Sequence, residues 1–469
     1  MTLTTFSKIS VSPPGPKARA LIQREIKQFH QPSIDRLYPI FTKHIHGALI
    51  EDVDGNRYLD FAIGSGSMSL GGANPELVKV VKERVEDLAH ASYPTMNEIV
   101  IQFAEKLTSI APGSGKKMVA ILATGSEAAD FAFRVTRGFK QRPQFLSFIG
   151  GHHGFSLGAL AMSGHYAAMF RKHPHLVPGV THVPYGYSYR CPLKHEGPLC
   201  NTTCANYIQD TVLTTTSPPE NTAGLIAEPI QGPAGIIIPP AEWIQRVYEI
   251  CKENDIVYID DEVFTGLGRT GKMFAIEHTP QIDPDMIILG KTLGAGMLPM
   301  SAVIMKEEIA QSVEPGATSS TLHGYPLGAA VALRVIEVIE ENGLCEKNRE
   351  NGEYLLKRGL ELQEKHPWIG DVRGRGLMLG LEFVKDPKSK QPLRKEVKDI
   401  SWRSVQKGLI FEWFGLKGNV IKLYPNYFVS KAQIDEAIDI LDSAISDVEH
   451  GTTSTTDFPP VYVVSSGWT

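Results

Sequence analysis

Cysteine is scarce in this sequence, which has five cysteines among 469 residues. So few thiols exclude a small secreted scaffold held together by disulfides. Long apolar runs are also missing, because no stretch reaches the roughly eighteen uninterrupted apolar residues that indicate a transmembrane helix. The opening residues, MTLTTFSKISVSPPGPKARA, contain no apolar core of the kind found in secretory signals. We therefore expect a cytoplasmic protein without a membrane segment.

An excess of basic residues is missing as well. Lysine and arginine together number 47, against 52 aspartates and glutamates, which gives a formal charge of -5 at pH 7. Because nucleic-acid binding depends on clustered positive charge, we expect no nucleic-acid partner. The remaining composition is 42% hydrophobic and 21% charged, and the chain is long enough for more than one domain.

Three of the five cysteines lie close together in Cys191-PLKHEGPL-Cys200-NTT-Cys204. Three thiols at this spacing leave open part of a metal site or one disulfide. A structural zinc site usually has four ligands, often in the paired C-x2-C form, and that pairing is not present here. We therefore interpret the segment as an irregular surface loop and expect no metal.

Short apolar runs alternate with helical stretches between residues 117 and 305. This alternation is typical of an α/β domain with a mostly parallel central sheet. Before it, GALIEDVDGNRYLDFAIG predicts a hairpin that turns at Asp54-Gly55. After it, helical and strand-like runs predict a second, smaller α+β domain. The six apolar runs are MVAILAT, QFLSFIG, TAGLIAEPI, DIVYIDD, DMIILG and MSAVIM.

Four segments are predicted along the chain. Residues 1–70 should contribute to the small domain, and residues 71–335 should form the large domain. Residues 336–450 should complete the small domain. Residues 451–469 are expected to be a tail, since they are too polar at first and too short afterwards to form a domain.

Polar residues follow the predicted strands at their carboxyl ends, where working residues collect in an open α/β sheet. MVAILAT leads into Gly125-Ser126 at the start of a helix, an arrangement that suits an anion. TAGLIA ends at Glu228. IVYI ends in the three acids Asp260-Asp261-Glu262, of which at least one is expected to meet a cation.

Lys291 follows the buried strand MIILG. An ammonium group is costly to bury unless it is paired, neutralised or used, and desolvation lowers the pKa of a lysine toward values at which it is a free amine. The side chain could reach solvent from a loop. It could instead be a nucleophile that forms a Schiff base. Both interpretations stay open on this stretch alone.

The segment Gly266-Leu-Gly268-Arg-Thr-Gly271 matches the glycine pattern of dinucleotide-binding folds. That fingerprint requires a helix to begin on the glycines, but the following KMFAIEHTPQIDPD is poorly helical. The three acids before it would also repel a pyrophosphate. We therefore do not expect a nicotinamide or flavin oxidoreductase.

One cofactor has a partner for each of these features. Pyridoxal 5'-phosphate carries an aldehyde for a lysine, a phosphate for a helix N-terminus and a ring nitrogen that an aspartate keeps protonated. The residues resemble the class III aminotransferases of the fold-type I pyridoxal phosphate enzymes, in particular those like 4-aminobutyrate aminotransferase. The resemblance extends from GALIEDVDGNRYLDF to GNVIKLYP. Its most specific part is IDDEVFTGLGRTG, followed thirty positions after Asp261 by Gly290-Lys291.

The resemblance implies a fold-type I architecture, with a large domain around a mostly parallel sheet and a smaller α+β domain. It implies pyridoxal 5'-phosphate as the cofactor. Lys291 is implied as the Schiff-base lysine and Asp261 as the partner of the ring nitrogen. Gly125 and Ser126 occupy the positions that bind the phosphate.

Further contacts are implied in the same way. His152, in GGHHG, occupies the position of an aromatic residue that stacks on the cofactor, and Val263 would contact the other face of its ring. Phe264 replaces a glutamine that many members have. Thr321, in SSTLHGYPLGAA, matches a threonine that reaches the phosphate of the neighbouring subunit. This match implies a homodimer, or a tetramer built from dimers, with shared sites.

Glu228 and Lys422 are candidate substrate-binding residues. Members that use 2-oxoglutarate often pair the glutamate of E-P-[IV]-Q with an arginine in a C-terminal R-x-x-P-P run. Glu228-Pro-Ile-Gln is present here, but Lys422 replaces the arginine and keeps its charge without the bidentate fork. Recognition of a substrate carboxylate is therefore not inherited from the resemblance alone.

The resemblance implies an aminotransferase that moves the amino group of a small amino acid or ω-amino acid to a 2-oxo acid. The stretches TLHGYP, IGDVRGRGL and SSGW are similar to the racemase and epimerase branch of the same family. An amino-acid racemase or epimerase is therefore the alternative, and the two activities share their first chemical steps. A non-catalytic protein that binds pyridoxal phosphate is a remote third hypothesis.

Overall fold

The computed structural model describes residues 5–29, 37–90, 95–165, 176–194 and 202–451. Its chain divides into two compact units. The larger unit is Pro75–Asn348, and the second unit combines Met1–Asn74 with Arg349–Thr469. The domain boundaries proposed from the sequence, at residues 70 and 335, remain predictions. Of the predicted tail, every residue after Gly451 lies outside the described ranges.

Fifteen strands are found in the described residues. In chain order they are β1 Thr42–His46, β2 Leu49–Asp52, β3 Arg57–Asp60, β4 Lys117–Leu122, β5 Gln144–Phe148, β6 Val180–Val183, β7 Thr222–Ala227, β8 Val257–Asp261, β9 Met286–Leu289, β10 Ser301–Lys306, β11 Ile369–Gly374, β12 Leu379–Phe383, β13 Leu409–Ile410, β14 Glu412–Phe414 and β15 Val420–Leu423. All six apolar runs singled out in the sequence form strands.

Twelve α-helices of five or more residues are found in the same ranges. They are α1 Pro16–Gln28, α2 Pro75–Asp87, α3 Glu98–Ile110, α4 Gly125–Lys140, α5 Leu157–Met162, α6 Thr203–Tyr207, α7 Ala241–Glu253, α8 Glu307–Gln311, α9 Pro326–Glu341, α10 Leu344–Lys365, α11 Arg394–Gln406 and α12 Lys431–Glu449. None of the described helices is long and apolar enough to cross a membrane.

The larger unit is built around a seven-stranded sheet with the order β4-β10-β9-β8-β7-β5-β6. The pairings of β9 with β8, β8 with β7, β7 with β5 and β5 with β6 are parallel. Strand β10 runs antiparallel to both β4 and β9. The prediction of a mostly parallel sheet is therefore confirmed, with one antiparallel strand inserted beside its edge.

Strands β7, β8 and β9 are buried along their whole length. A strand that is covered on both faces needs apolar residues on both, which explains the continuous apolar runs of this sequence. Helix α4 packs on the sheet through Phe131, Phe133 and Val135, each at most 4% exposed. Burial of each such side chain contributes about 1.5–3 kcal/mol. The helix is therefore held firmly against the strands that precede and follow it.

The second unit contains two four-stranded sheets, with the orders β1-β2-β3-β13 and β11-β12-β15-β14. Strands β2 and β3 pair antiparallel, as the predicted hairpin requires. Its turn is closed by the N–H of Gly55, which donates to the carbonyl of Asp52 at 3.1 Å. Gly55 has a φ of 86°, a conformation that favours glycine and explains the Asp-Gly pair at this place.

The cysteine segment is not an irregular loop throughout. Cys204 lies in helix α6 and is 4% exposed, and α6 contacts α7. The prediction of a surface loop is therefore wrong at Cys204, because an apolar thiol is buried by helix packing. Cys191 follows a short 3-10 turn and is half-buried, whereas Cys200 lies outside the described residues.

The glycine-rich segment 266–271 does not begin a helix. The next regular element after it in the described chain is the 3-10 turn Ala275–His278. Its failure to match the dinucleotide fingerprint, predicted from the sequence, is confirmed.

Candidate active site

The carboxyl ends of four strands meet at one edge of the central sheet. Strands β7, β8 and β9 are parallel neighbours. Strand β4 points the same way, because β10 runs antiparallel to both β4 and β9. The residues at or just after the ends of these four strands include Gly125, Glu228, Asp261 and Lys291. The topology thus brings a helix N-terminus, two carboxyl groups and an amine to the same edge.

Asp261 is the last residue of β8 and is 3% exposed. Its Oδ1 accepts a hydrogen bond from the N–H of Val263 at 3.0 Å. Its Oδ2 lies 2.6 Å from Nδ1 of His153, and the two side chains are 2% and 1% exposed. Two directed donors therefore fix this carboxyl group in a dry environment, where hydrogen bonds to an anion are strong.

The two neighbouring acids lie on the other side of β8. Glu262 accepts hydrogen bonds from the N–H groups of Ala275 and Ile276, at 2.8 and 2.9 Å, and from the hydroxyl of Thr265 at 2.9 Å. Burial nevertheless raises the pKa of Glu262 to about 7. Burial also raises the pKa of Asp260 well above its usual range, and the nearby charge of Glu262 raises it further. Asp260 and Glu262 are thus accommodated by retained protons and, at Glu262, by neutral donors, whereas the expectation from the sequence was that at least one of the three acids would meet a cation.

Helix α4 presents its N-terminus at the end of β4. Thr124 caps the helix, since its hydroxyl accepts a hydrogen bond from the N–H of Glu127 at 3.2 Å. The N–H groups of Gly125 and Ser126 precede the first intrahelical bonds, so they can serve an anionic group. The hydroxyl of Ser126 accepts from the N–H of Phe155 at 3.1 Å and is thereby oriented.

Val263 packs against two glycines that the sequence placed at this edge. A Cβ added at Gly125 would lie 3.1 Å from Cγ1 of Val263, and one added at Gly290 would lie 3.2 Å from the same atom. Both distances are tighter than ordinary van der Waals contact. The end of β8, the end of β9 and the start of α4 can therefore approach this closely because two of them carry glycine.

Lys291 follows Gly290 and has a φ of 41°, in the left-handed region that few non-glycine residues adopt. Such a conformation costs on the order of 1–3 kcal/mol and is concentrated at functional sites. Its Nζ lies 4.3 Å from the centre of the Phe264 ring. Phe264 is 7% exposed and is packed tightly against the backbone of Gly232. The backbone conformation of Lys291 and the aromatic face of Phe264 thus together set the direction of the amine.

Glu228 is 4% exposed, and its carboxyl group accepts hydrogen bonds from the N–H groups of His152 and Gly232 at 2.9 and 3.1 Å. Burial raises the pKa of Glu228 to about 7. The ring of His152 lies 5.1 Å from that of Phe155 in an edge-to-face arrangement. Glu228 therefore connects the loop that carries His152 to the loop that follows β7.

Two candidate residues lie apart from this cluster in the chain. Thr321 is exposed, in a turn that precedes helix α9. Lys422 belongs to β15 of the second unit, is 2% exposed and lies 3.1 Å from a carboxylate oxygen of Glu412. Although burial acts to raise it, the charge of Lys422 holds the pKa of Glu412 below its usual value. The positive charge of Lys422 is therefore compensated within its own unit.

His153 is the residue that the sequence analysis missed. The stacking role was given to His152, and the second histidine of GGHHG received no role. One signal pointed to it, namely the requirement that an acid in Asp260-Asp261-Glu262 find a partner. That partner for Asp261 lies 108 positions earlier in the chain, and the order of β5 and β8 in the sheet brings the two together.

Comparison with known proteins decides the family. Residues 31–445, most of the chain, match the family model Aminotransferase class-III. The chain belongs to the class III aminotransferase family. The resemblance that the sequence motifs implied is therefore confirmed.

Relatives of this aminotransferase-family chain divide between two activities. The alanine/serine racemase of Pyrococcus horikoshii is 38% identical over 455 residues, which cover 96% of this chain and 94% of that protein. The probable 4-aminobutyrate aminotransferase of Bacillus subtilis is 34% identical over 400 residues, which cover 85% and 91%. The solved structure of a Bacillus anthracis aminotransferase superposes with a TM-score of 0.84 at 28% identity, covering 92% of this chain and 98% of that one. The predicted fold is thereby confirmed.

The residues at the sheet edge fit pyridoxal 5'-phosphate, the cofactor of class III aminotransferases. The carboxyl group of Asp261 is fixed by two donors and retains acceptor capacity for a ring N–H. The start of α4 offers amides to a phosphate, and Lys291 offers an amine to an aldehyde. When bound, the cofactor supplies a ring that accepts the electrons released when the substrate α-carbon loses a proton.

Proposed function

We propose that this chain transfers the amino group of a small amino acid or ω-amino acid to a 2-oxo acid, with Lys291 as its Schiff-base residue. The observation that carries the proposal is the Asp261 carboxyl group, buried and held by two donors at the same sheet edge as Lys291 and the start of α4. In this proposal Gly125 and Ser126 bind the phosphate. His152 and Val263 contact opposite faces of the cofactor ring.

Lys291 has two successive roles in the proposed reaction. Its amine would hold the cofactor aldehyde until the amino group of a substrate takes that place. The released Nζ takes the α-proton of the substrate as a general base. The aromatic face of Phe264 lies 4.3 Å from Nζ and bounds one side of this amine.

The cofactor linkage is tested by reduction with borohydride followed by peptide mapping. Wild-type protein should be yellow and should retain the label on Lys291. The variant Lys291→Ala should bind no cofactor covalently and should lose nearly all turnover. A label fixed to a different lysine in the wild-type protein would contradict the assignment of Lys291.

Lys422 supports a restriction on the amino acceptor. Because Glu412 already compensates its charge, Lys422 has no surplus positive charge for the second carboxylate of a dicarboxylic acid. We therefore propose that monocarboxylic 2-oxo acids such as pyruvate are better acceptors than 2-oxoglutarate. The variant Glu412→Gln should leave the charge of Lys422 uncompensated and should therefore reduce the preference for pyruvate over 2-oxoglutarate. Unchanged relative rates with the two acceptors would contradict this proposal.

Racemisation or epimerisation is the second candidate function. It is favoured by the Pyrococcus horikoshii racemase, which shares more identity with this chain over more of its length than the Bacillus subtilis aminotransferase does. A racemase returns the α-proton to the opposite face of the carbon and needs no amino acceptor.

One incubation separates the two functions. Single enantiomers of alanine, serine and leucine, and 4-aminobutyrate, are incubated with the holoenzyme in deuterated water, with and without pyruvate or 2-oxoglutarate. We expect an oxo product that depends on the acceptor, with slow deuterium exchange at the α-carbon. Rapid inversion with deuterium incorporation and no response to acceptor would replace the aminotransferase proposal by the racemase.

A homodimer with shared sites is part of the proposal, as is the cytoplasmic location expected from the composition. Thr321 is exposed in the single chain, and the adjacent Leu322 is an apolar side chain that is 44% exposed. Phe155 and Leu157, which follow the loop of His152, are 66% and 60% exposed. Apolar side chains left in solvent at these places support their burial against a second copy.

Mixed dimers test whether Thr321 reaches a neighbouring site. A heterodimer of Thr321→Ala with Lys291→Ala should carry both lesions in one site and neither in the other. About half of the wild-type activity per dimer should then survive. Activity confined to wild-type homodimers would show that each site is built from one chain.

A further inference from the structure

The buried ring of Phe264 is fixed against a rigid turn. A Cβ added at Gly232 would lie 2.9 Å from Cδ1 and 3.0 Å from Cγ of Phe264, so the ring rests on the backbone of that glycine. The N–H of Gly232 donates to a carboxylate oxygen of Glu228 at 3.1 Å. The carbonyl of Gly232 accepts from the N–H groups of Gly235 and Ile236 at 3.1 and 3.2 Å. The ring therefore has little freedom to move away from its position.

The segment that follows β8 contacts Lys291 at both ends of the residue. Val263 packs against Gly290, which directly precedes Lys291 in the chain. Phe264 faces the amine, whose Nζ lies 4.3 Å from the centre of the ring. This distance is well within the roughly 6 Å over which an aromatic face attracts a cation. Two consecutive residues thus locate the backbone and the amine of one lysine.

The charge of this amine changes during the proposed reaction. When Nζ takes the α-proton, the C–H bond of the substrate breaks and an N–H bond forms at Nζ, while the electron pair passes to the cofactor ring. The neutral amine thereby becomes an ammonium group. An aromatic face attracts a cation electrostatically, whereas a neutral amine has no net charge for it to attract. The face of Phe264 therefore stabilises the product of this proton transfer more than its starting form.

We propose that Phe264 is a positioning residue whose aromatic face holds Nζ of Lys291 as it gains the α-proton, and so promotes that transfer. This inference rests on the proposed function, because it assumes that Lys291 is the base. It concerns a proton transfer that both candidate functions require. It gives a role to the residue that replaces a glutamine found in many class III members, since an amide side chain has no such face.

The test weakens the aromatic face while preserving the shape of the side chain. The phenylalanine at position 264 is replaced by derivatives that carry one, two or three fluorine atoms on the ring, because each fluorine withdraws electron density from the face and reduces its attraction for a cation. The same series at Phe133 is the matched control. Phe133 is 3% exposed, and Cζ of Arg137 lies 5.0 Å from the centre of its ring. It forms the same kind of contact with a cation other than Lys291.

Two quantities are measured for each protein. The first is the limiting rate at which the holoenzyme removes deuterium from the α-carbon of its fastest amino-acid substrate, at the pH where each protein is fastest. The second is measured on the apoprotein and is the pH at which half of the Lys291 amines react with an acylating reagent, as determined by peptide mapping. All other side chains near Lys291 are the same throughout the series, so differences report on the ring.

We expect graded effects at position 264. Three fluorines should lower the rate of deuterium removal by about two- to tenfold, with intermediate losses for one and two fluorines. The midpoint of Lys291 labelling should move to lower pH by about 0.4 to 1.5 pH units, because the ammonium form is less stabilised. KM and the dissociation constant of pyridoxal 5'-phosphate should not change. The series at Phe133 should alter neither the rate nor the midpoint.

Several outcomes would overturn the inference. Equal rates and midpoints with none and with three fluorines at position 264 would show that the aromatic face has no part in the transfer. Losses that do not follow the number of fluorines, or that the Phe133 series matches, would indicate altered packing instead. If the fluorinated proteins do not fold, Phe264→Tyr, which keeps an aromatic face, is compared with Phe264→Leu, which removes it. Only Phe264→Leu should then lose rate, and equal rates in these two variants would contradict the inference.

Lys291→Ala is measured in parallel to separate the two levels of argument. If Lys291→Ala removes α-deuterium at the wild-type rate, the proposed function fails, and the role of Phe264 fails with it. If Lys291→Ala abolishes this removal but fluorination at position 264 has no effect, the proposed function stands and only the role of Phe264 is overturned.

Discussion

The buried carboxyl groups on the two sides of strand β8 have different surroundings. On one side, His153 and a backbone N–H both donate to Asp261. On the other side, Asp260 and Glu262 share a dry space, and burial raises the pKa of both. All three side chains are at most 3% exposed. Burial is therefore common to both sides, and the two sides differ in the groups that surround each carboxyl group.

The sharpest test of this comparison replaces one carboxyl group on each side by an amide. Asp261→Asn should lower kcat by more than tenfold, because a charge-assisted hydrogen bond worth about 1.5–3 kcal/mol is replaced by a weaker one. Asp260→Asn should keep kcat within about threefold, since burial already favours the protonated form of Asp260. Steady-state kinetics on the two holoenzymes checks both. Similar losses in the two variants would show that the sides are not functionally distinct.

A second prediction concerns the pH dependence of stability. Burial raises the pKa of Glu262 from its usual value near 4.5 to about 7 in the folded protein. Between these pH values the folded state holds a proton that the unfolded state has released, so the free energy of unfolding falls as pH rises through this window. The fall amounts to about 3 kcal/mol at most for one such group. The stability that the folded protein gains from the retained proton of Glu262 is fully present below pH 4.5 and is lost above pH 7.

Asp260→Asn should make the free energy of unfolding less dependent on pH, because it removes one of the two buried carboxyl groups that share this site. The difference in free energy of unfolding between pH 5 and pH 8 should shrink by on the order of 1 kcal/mol relative to wild type. Urea unfolding of the two apoproteins at four pH values measures it. Parallel curves for the two proteins would contradict the raised pKa values of this pair.

The smallest expected effect comes from removing one neutral hydrogen-bond donor to Glu262. Thr265→Val removes the hydroxyl that donates to Glu262 at 2.9 Å while keeping the shape of the side chain. It should cost about 1 kcal/mol of folding stability, with more of the loss at pH 8, where Glu262 is ionised, than at pH 5. Thr136→Val is the control, since Thr136 is equally buried and its hydroxyl contacts the sulfur of Met286. The loss in that control should not depend on pH.

Much of the fold could be predicted because its elements carry local signals. The buried strands are continuous apolar runs, and the hairpin at Gly55 contains a residue pair that only a few turn types favour. Helix α1, by contrast, was not predicted. Its residues PKARALIQREIKQ have few apolar side chains, with Ala18 and Ile22 as its buried hydrophobic residues. A narrow apolar stripe of this kind gives little periodic signal.

The site could be predicted only as far as residues next to strand ends. Asp261 is the last residue of strand β8, and Lys291 follows Gly290 just after strand β9, so their location followed from the strand pattern. The partners of the predicted residues depended on pairings between distant segments. Glu412 lies directly opposite Lys422 in the register of β14 and β15, but β14 has three residues and no recognisable alternation. The partner of Lys422 was therefore not visible in the sequence.

The position of β10 in the central sheet has a consequence for synthesis on the ribosome. Strand β4 is at the edge of the sheet, and its neighbour there is β10, which is made almost two hundred residues later. Proteins are synthesised from the N-terminus at roughly 5–20 residues per second. After Lys291 has been synthesised, roughly 1–3 further seconds pass before residues 301–306 are complete. Only then can β10 join β4, and with it the start of α4, to the rest of the sheet. During that interval β4 exposes an unpaired backbone edge, which is a surface that another chain can join.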